Sequence, residues 1–243
     1  MRRNLVTVFL IFITISAFGQ NMRDYQKQTR MMISSGKYAE ALERCLWFHD
    51  HALEKDPSMT GVRLSFSLAD WKKLGDLYPP ALKAMMEVRD KKTAQISEGK
   101  EDSAKLFHDV VALNRTLEVP QKSIELFETV IAKSSTLAKK DWHYIKSTLF
   151  EEKRYDIIKN FITHPLTEYS SIKSSYNLEM ENFTKINILP ERMKTYAANR
   201  FVEHTLQLID YCVAINDSKS AKEIQKMAIG LVNDNRLKDA ITN

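Results

Sequence analysis

The chain of 243 residues contains few of the residues that interrupt regular structure. It has six glycines and six prolines, which leaves no room for a linker-rich or low-complexity region. Its two cysteines are Cys45 and Cys212, and an oxidising compartment would allow them to form a disulfide bridge. Each of them, however, lies on an apolar stripe of its own. We therefore expect two free, buried thiols.

The motifs of common enzyme classes are also missing. The sequence contains no H-E-x-x-H, no G-x-S-x-G and no glycine-rich phosphate loop. Ser34-Ser35-Gly36-Lys37 and Ser170-Ser171-Ile172-Lys173 fit S-x-x-K, but the companion S-D-N and K-T-G elements are absent. Paired carboxylates such as Glu179 and Glu181 remain as candidates for acid and base chemistry, although such pairs usually lie on solvated faces. The sequence predicts a protein that is not an enzyme.

Metal and cofactor sites have little support. Cys45 and His49 are four residues apart and would share one face of a helix, where they could bind zinc together with two further ligands. A small apolar cysteine and a half-buried histidine on a packing stripe explain the same pair without a metal. We therefore expect no metal and no cofactor.

Charge of one sign is not concentrated anywhere. The formal net charge is +5, Arg2 and Arg3 contribute two of these charges, and the lysines occur as scattered pairs beside acidic residues. A nucleic-acid interface needs a basic stripe with interleaved aromatic residues. The sequence shows none, so we expect no nucleic-acid partner.

The first twenty residues hold the only long apolar run. Arg2 and Arg3 precede Leu5 to Phe18, and Ala17-Phe18-Gly19 places small residues at the two positions that a signal peptidase reads. A helix from Leu5 to Gly19 spans about 22 Å, which is short of the roughly 30 Å hydrocarbon core of a bilayer. We predict a signal peptide over residues 1–19, with a retained membrane anchor as the alternative. A periplasmic or secreted protein follows, with no membrane insertion after cleavage.

Apolar residues recur at helical spacing through most of residues 20–243. Ala41, Cys45, Phe48 and Ala52 form one such stripe, and alternation of period two is sustained nowhere, so the prediction is an all-α chain without strands. Between residues 165 and 190 four serines interrupt the pattern. We expect an irregular insertion there within a single helical domain.

One segment resembles a known repeat. Trp71, Leu74, Gly75 and Tyr78 stand in W-x₂-L-G-x₂-Y order before Pro79-Pro80-Ala81, which is similar to the first half of a tetratricopeptide repeat. Gly36, Tyr38 and Ala41 resemble the turn and second helix of the same family. Four residue pairs each follow a turn and begin an apolar helical stripe; these pairs are Ala41-Leu42, Ala81-Leu82, Ser123-Ile124 and Ile157-Ile158. They recur about every 34 to 42 residues, and the longer spacings are nearer to those of HEAT-type repeats. The resemblance implies an α-solenoid of antiparallel helix pairs.

Such a repeat implies a binding surface and no chemistry. We expect an exported scaffold or adaptor that holds a protein or peptide partner of the cell envelope on its concave face, with Arg63, Asp70, Lys72 and Arg115 as the polar candidates for contact. The alternative is a periplasmic protein that binds a glycan or another small ligand through exposed aromatic residues. The candidates for that role are Trp47, Trp71, Trp142, Tyr169 and Tyr176.

Overall fold

The protein is helical throughout the part that the structure describes. The computed structural model describes residues 21–99, 103–185 and 191–241, and within these ranges it contains thirteen α-helices, one short 3-10 helix at Pro57–Met59 and no strand, which confirms the all-α prediction. The predicted signal peptide lies outside the described residues. The helices are α1 Met22–Ser34, α2 Tyr38–Lys55, α3 Thr60–Arg63, α4 Phe66–Leu77, α5 Pro79–Ser97, α6 Ser103–Thr116, α7 Pro120–Lys133, α8 Ser135–Glu151, α9 Tyr155–Ile158, α10 Pro165–Lys185, α11 Glu191–Ala214, α12 Ser218–Leu231 and α13 Asn235–Asp239.

The helices form two compact units. The first extends to Val88 and the second begins at Arg89, so the boundary falls within the continuous helix α5. The prediction of one repeat domain over residues 20–243 stays a prediction. Among the described helices, none combines the length and the apolar character needed to cross a membrane.

The turns that end four helices share one geometry. Gly36, Glu118, Lys153 and Asn216 all have positive φ, between 52° and 76°. In each case the next N–H donates to a carbonyl five residues back, as in Lys37 N to Met32 O at 3.0 Å. This is the Schellman motif, in which a left-handed residue just past the helix satisfies its last carbonyls. The residue five positions after each left-handed residue is buried in the following helix; these residues are Ala41, Ser123, Ile158 and Ala221.

Glycine adopts the left-handed backbone of the first of these turns without strain. Gly36 has φ +76° with open space around it, so Gly36→Ala should destabilise the first unit by about 1 kcal/mol through backbone strain alone. Gly230 is helical and also has open space, so Gly230→Ala should be neutral or slightly stabilising. Urea unfolding of both variants measures the difference, and equal effects would contradict the assigned turn.

The first unit is closed by a tight contact between α4 and α5. Trp71 is fully buried, and its indole Nε1 donates to the carbonyl oxygen of Ala81 at 2.9 Å. A Cβ added to Gly75 would lie 3.0 Å from the Cβ of Leu82 and 3.1 Å from its main-chain nitrogen. Tyr78 meets Tyr38 of α2 with ring centroids 6.0 Å apart. The residues of the W-x₂-L-G-x₂-Y pattern therefore form one packing site.

The second unit has a larger core and a buried polar link. Its apolar cluster extends from Ile96 to Leu237. Near its start, Arg89 on α5 donates to Asn114 on α6 at 3.0 Å, and Asn114 donates to Ser123 on α7 at 3.0 Å. All three side chains are buried. Because each buried polar group is paired, this link fixes how the three helices pack.

The prediction of an irregular insertion over residues 165–190 is wrong for the first 21 of these residues. Residues 165–185 form the continuous helix α10, and residues 186–190 lie outside the described ranges. Ser170, Ser171 and Ser175 donate their hydroxyls to carbonyls four residues back, so these side chains are satisfied within the helix. Tyr169 is buried against Phe201 of α11, and this tertiary packing outweighs the weak helix propensity of the serines.

Candidate functional site

The first candidate surface is the exposed side of α1 and α4 in the first unit. Arg30 on α1 donates to Asp70 on α4 at 3.1 Å, and this ion pair joins the two helices. Exposed residues repeat at helical spacing on both helices. We define the α1–α4 face by these residues: Lys27, Arg30 and Met31 on α1, and Phe66, Asp70, Lys73 and Leu77 on α4.

This face is both apolar and basic. Phe66 is 69% exposed, Met31 61% and Leu77 51%. Scattered exposed apolar residues are ordinary, but these three lie on two helices that an ion pair holds together. Three cations accompany them, and the carboxylate of Asp70 is already paired with Arg30. Partial burial raises the pKa of Asp70, and Arg30 opposes this rise.

The four polar candidates from the sequence occupy different places. Asp70 lies on the α1–α4 face. Lys72 lies two residues further along α4, where its Nζ donates to Asp76 Oδ1 at 2.5 Å. Residues two apart on a helix point about 200° apart, so Asp70 and Lys72 lie on different sides of α4. Arg115 is exposed near the end of α6 and belongs to the second unit.

Arg63 is placed differently from the sequence-based expectation. Its side chain is buried, and Nη1 donates to the carbonyl oxygen of His49 at 3.1 Å. A buried guanidinium bonded to the main chain holds α3 against α2. This placement corrects the expectation that Arg63 lies on an open surface for a partner.

The second candidate site is a cleft in the second unit, between α8, α10 and α11. It encloses about 470 Å³, within the usual range of small-ligand pockets. Both α8 and α11 contribute cations that pair with carboxylates of α10: Lys146 with Glu168, and Arg200 with Glu179. Between these two pairs lie serine and apolar side chains of α10, namely Ser171, Ile172, Ser175 and Tyr176. We call this site the α8–α10–α11 cleft.

Two histidines stand at the edge of the cleft. His204 lies one turn after Arg200 on α11, and desolvation together with Arg200 and Lys146 lowers its pKa below the ordinary value. Neutral imidazole is therefore its main form at pH 7. His143 lies on α8 with its ring 3.7 Å from that of Tyr144, which in turn stacks on His108 at 4.1 Å.

The two ion pairs of this cleft were not predicted from the sequence, although Tyr176, one of the candidates for small-ligand contact, lies in the lining. The partners of its two ion pairs lie 21 and 22 residues apart along the chain. Because an irregular insertion was expected there, no regular helix face was predicted for α10. The available signal was the spacing of Glu168, Ile172, Ser175 and Glu179, which places all four on one helical face.

Three of the aromatic residues proposed for ligand contact are packing residues. Trp71 is fully buried. Trp142 stacks on Phe161 with centroids 4.6 Å apart and an interplanar angle of 2°. Trp47 packs on Tyr25 at 4.8 Å. In the described ranges no group of three or more His, Cys, Asp or Glu side chains is arranged to hold a metal ion.

Comparison with known proteins found no matching family model, no similar curated protein and no similar solved structure.

Proposed function

We propose that the chain is an exported helical-repeat scaffold or adaptor that binds a segment of another protein through the α1–α4 face. The observation that carries this proposal is the exposure of Phe66, Met31 and Leu77 on two helices joined by the Arg30–Asp70 ion pair. Apolar side chains clustered on a surface and rimmed by polar groups are typical of protein interaction sites. The protein acts by binding, and its place is the periplasm or the cell exterior.

The charges of the face favour a particular partner. Lys27, Arg30 and Lys73 are exposed, whereas Asp70 is neutralised by Arg30. A partner segment with acidic residues beside apolar anchors complements this pattern. Apolar contacts then supply most of the affinity, and the charges set orientation and association rate.

We further propose that the helices stack as antiparallel pairs in a solenoid of the tetratricopeptide or HEAT type. The four matching Schellman turns support this arrangement, because the same turn followed by the same buried position recurs in both units. In such an array α1 and α4 are first helices of consecutive pairs, which line the concave surface that repeat proteins use for binding.

Glycan binding through the tryptophans is less well supported. Stacking on a sugar needs an aromatic face open to solvent, yet Trp71 is fully buried and one face of Trp142 is covered by Phe161. Tyr169 is buried as well. The proposal therefore rests on protein recognition.

The test removes the apolar anchors and keeps the fold. The variant Phe66→Ser/Leu77→Ser should capture at least tenfold less of the envelope partner than wild type when immobilised mature protein is compared by quantitative mass spectrometry. The control Leu178→Ser removes an equally exposed apolar side chain, 59% exposed on α10, and should retain capture.

Charge reversal tests the partner's chemistry. Lys27→Glu/Lys73→Glu should slow association with a synthetic segment of the captured partner and remove the decrease of that rate with added salt. Equal capture by wild type and the Phe66→Ser/Leu77→Ser variant would overturn the proposed face. An unchanged association rate after charge reversal would overturn the acidic partner.

A further inference from the structure

We propose that the α8–α10–α11 cleft binds short peptides with free, charged ends, in an extended conformation along α10. This site is separate from the α1–α4 face and does not depend on it. The cleft lies within the second unit, and the lining residues named here belong to described helices.

The length of the ligand follows from the two ion pairs. Glu168 and Glu179 are eleven positions apart on one continuous helix, which corresponds to about 16 Å at a rise of 1.5 Å per residue. An extended chain covers about 3.3 to 3.6 Å per residue. A peptide of about five residues therefore reaches from one ion pair to the other, whereas a free amino acid reaches only one.

The charges favour a ligand that carries both signs. Each cation of the cleft already holds a carboxylate, so a ligand of one sign gains little net attraction. A peptide with free ends can pair with both sites at once. Arg200 has further N–H donors for bidentate contact with a carboxylate, which places the C-terminus of the peptide there. Glu168 then accepts from the N-terminal ammonium at the other end.

The middle of the cleft suits a peptide backbone. Ser171 and Ser175 donate their hydroxyls to carbonyls of α10, so their oxygen lone pairs remain as acceptors for backbone N–H groups. Gln207 faces the same space from α11 and offers both a donor and an acceptor. Ile172 and Tyr176 provide apolar surface for a side chain.

A sugar fits the same cleft less well. Phe150 and Phe201 line it but are only 7% and 2% exposed, so neither offers an open ring face for stacking. The ring of Tyr176 packs against that of Phe201 with centroids 4.9 Å apart, so Tyr176 is the one aromatic ring named here that is partly open to the cleft. A neutral sugar also adds no charge–charge contact to either ion pair.

Isothermal titration calorimetry with four probes tests the proposal on the exported protein. Penta-alanine with free ends should bind at least tenfold more tightly than free alanine and than N-acetyl-penta-alanine amide, because only the first carries both charges at the required separation. Maltohexaose is the glycan probe. Equal affinity for free and blocked penta-alanine, no binding of penta-alanine, or tighter binding of maltohexaose would each overturn the proposal.

Two matched variants locate the binding. Ser175→Trp fills the middle of the cleft and should weaken penta-alanine binding at least tenfold. Ser170→Trp loses the same kind of serine to carbonyl hydrogen bond but lies outside the cleft lining, and should retain binding within twofold. Circular dichroism checks that both variants stay helical. If Ser175→Trp binds as wild type does, the cleft is not the site; if Phe66→Ser/Leu77→Ser still binds penta-alanine, the cleft acts independently of the α1–α4 face.

Discussion

Gly75→Leu should destabilise the first unit by about 1 to 3 kcal/mol or more, which is one of the two largest effects expected for a single substitution in this chain. Even a Cβ at this position would lie 3.0 Å from the Cβ of Leu82 and 3.1 Å from its main-chain nitrogen. The backbone of α5 cannot move aside without disturbing Ala81, whose carbonyl accepts the indole N–H of Trp71. Thermal melts followed by circular dichroism measure the loss.

Gly61→Leu is the matched control. Gly61 belongs to the same unit, lies in helix α3 and has no neighbouring atom near the position of an added Cβ. Its replacement should change the free energy of unfolding by less than about 0.5 kcal/mol, as is usual for an exposed site. If Gly75→Leu is tolerated as well as Gly61→Leu, then α4 and α5 do not approach closely. The similarity of residues 71–78 to a tetratricopeptide repeat is then accidental.

The second large effect concerns Asp141 in the second unit. This side chain is fully buried on α8, and neither carboxylate oxygen has a hydrogen-bond partner among the described residues. Burial raises the pKa of Asp141 from 3.8 to about 6, and attraction by Lys140 opposes the rise. Because folding favours the protonated acid, the contribution of Asp141 to stability is greatest below pH 4. It is lost as the pH rises from about 4 to about 6, by up to about 3 kcal/mol.

Asp141→Asn removes this titration and nearly preserves the shape of the side chain. At pH 7 the variant should therefore be more stable than wild type, and at pH 4 the difference should be much smaller. Urea unfolding at both pH values gives the free energies of unfolding. A stability difference that is the same at both values would mean that folding does not raise the pKa of Asp141.

Local patterns predicted most of the helices. Ala41, Cys45, Phe48 and Ala52 recur at helical spacing, and the structure buries all four on α2. The segment that resembles a tetratricopeptide repeat includes Gly75 and Ala81, and both lie in the contact between α4 and α5. These features depend on residues near one another in the chain, where spacing fixes which side chains share a face.

The ion pairs of the cleft, the burial of Arg63 and the packing of α10 depend on contacts between different helices, which residue spacing does not predict. From the sequence alone, Arg63 is expected to be a surface charge. In the structure its guanidinium donates to the carbonyl oxygen of His49 on α2. The serines of α10 have a weak helix propensity. The packing of Tyr169 against α11 nevertheless stabilises α10 as a helix. Glu118 and Lys153 occupy left-handed positions where glycine is the usual residue, so their residue types did not indicate the left-handed backbone of those turns.

The two cysteines allow local unfolding of each unit to be measured by thiol labelling. Cys45 lies in the first unit and Cys212 in the second; both are free and buried, and burial raises the pKa of each thiol to about 12. At pH 7 only about one in 10⁵ of such thiols is thiolate, the reactive form. Labelling by a thiol reagent therefore proceeds through transient unfolding, and mass spectrometry of the labelled peptides follows the two units separately without any added probe. In Gly75→Leu the label should reach Cys45 faster while its rate at Cys212 stays unchanged.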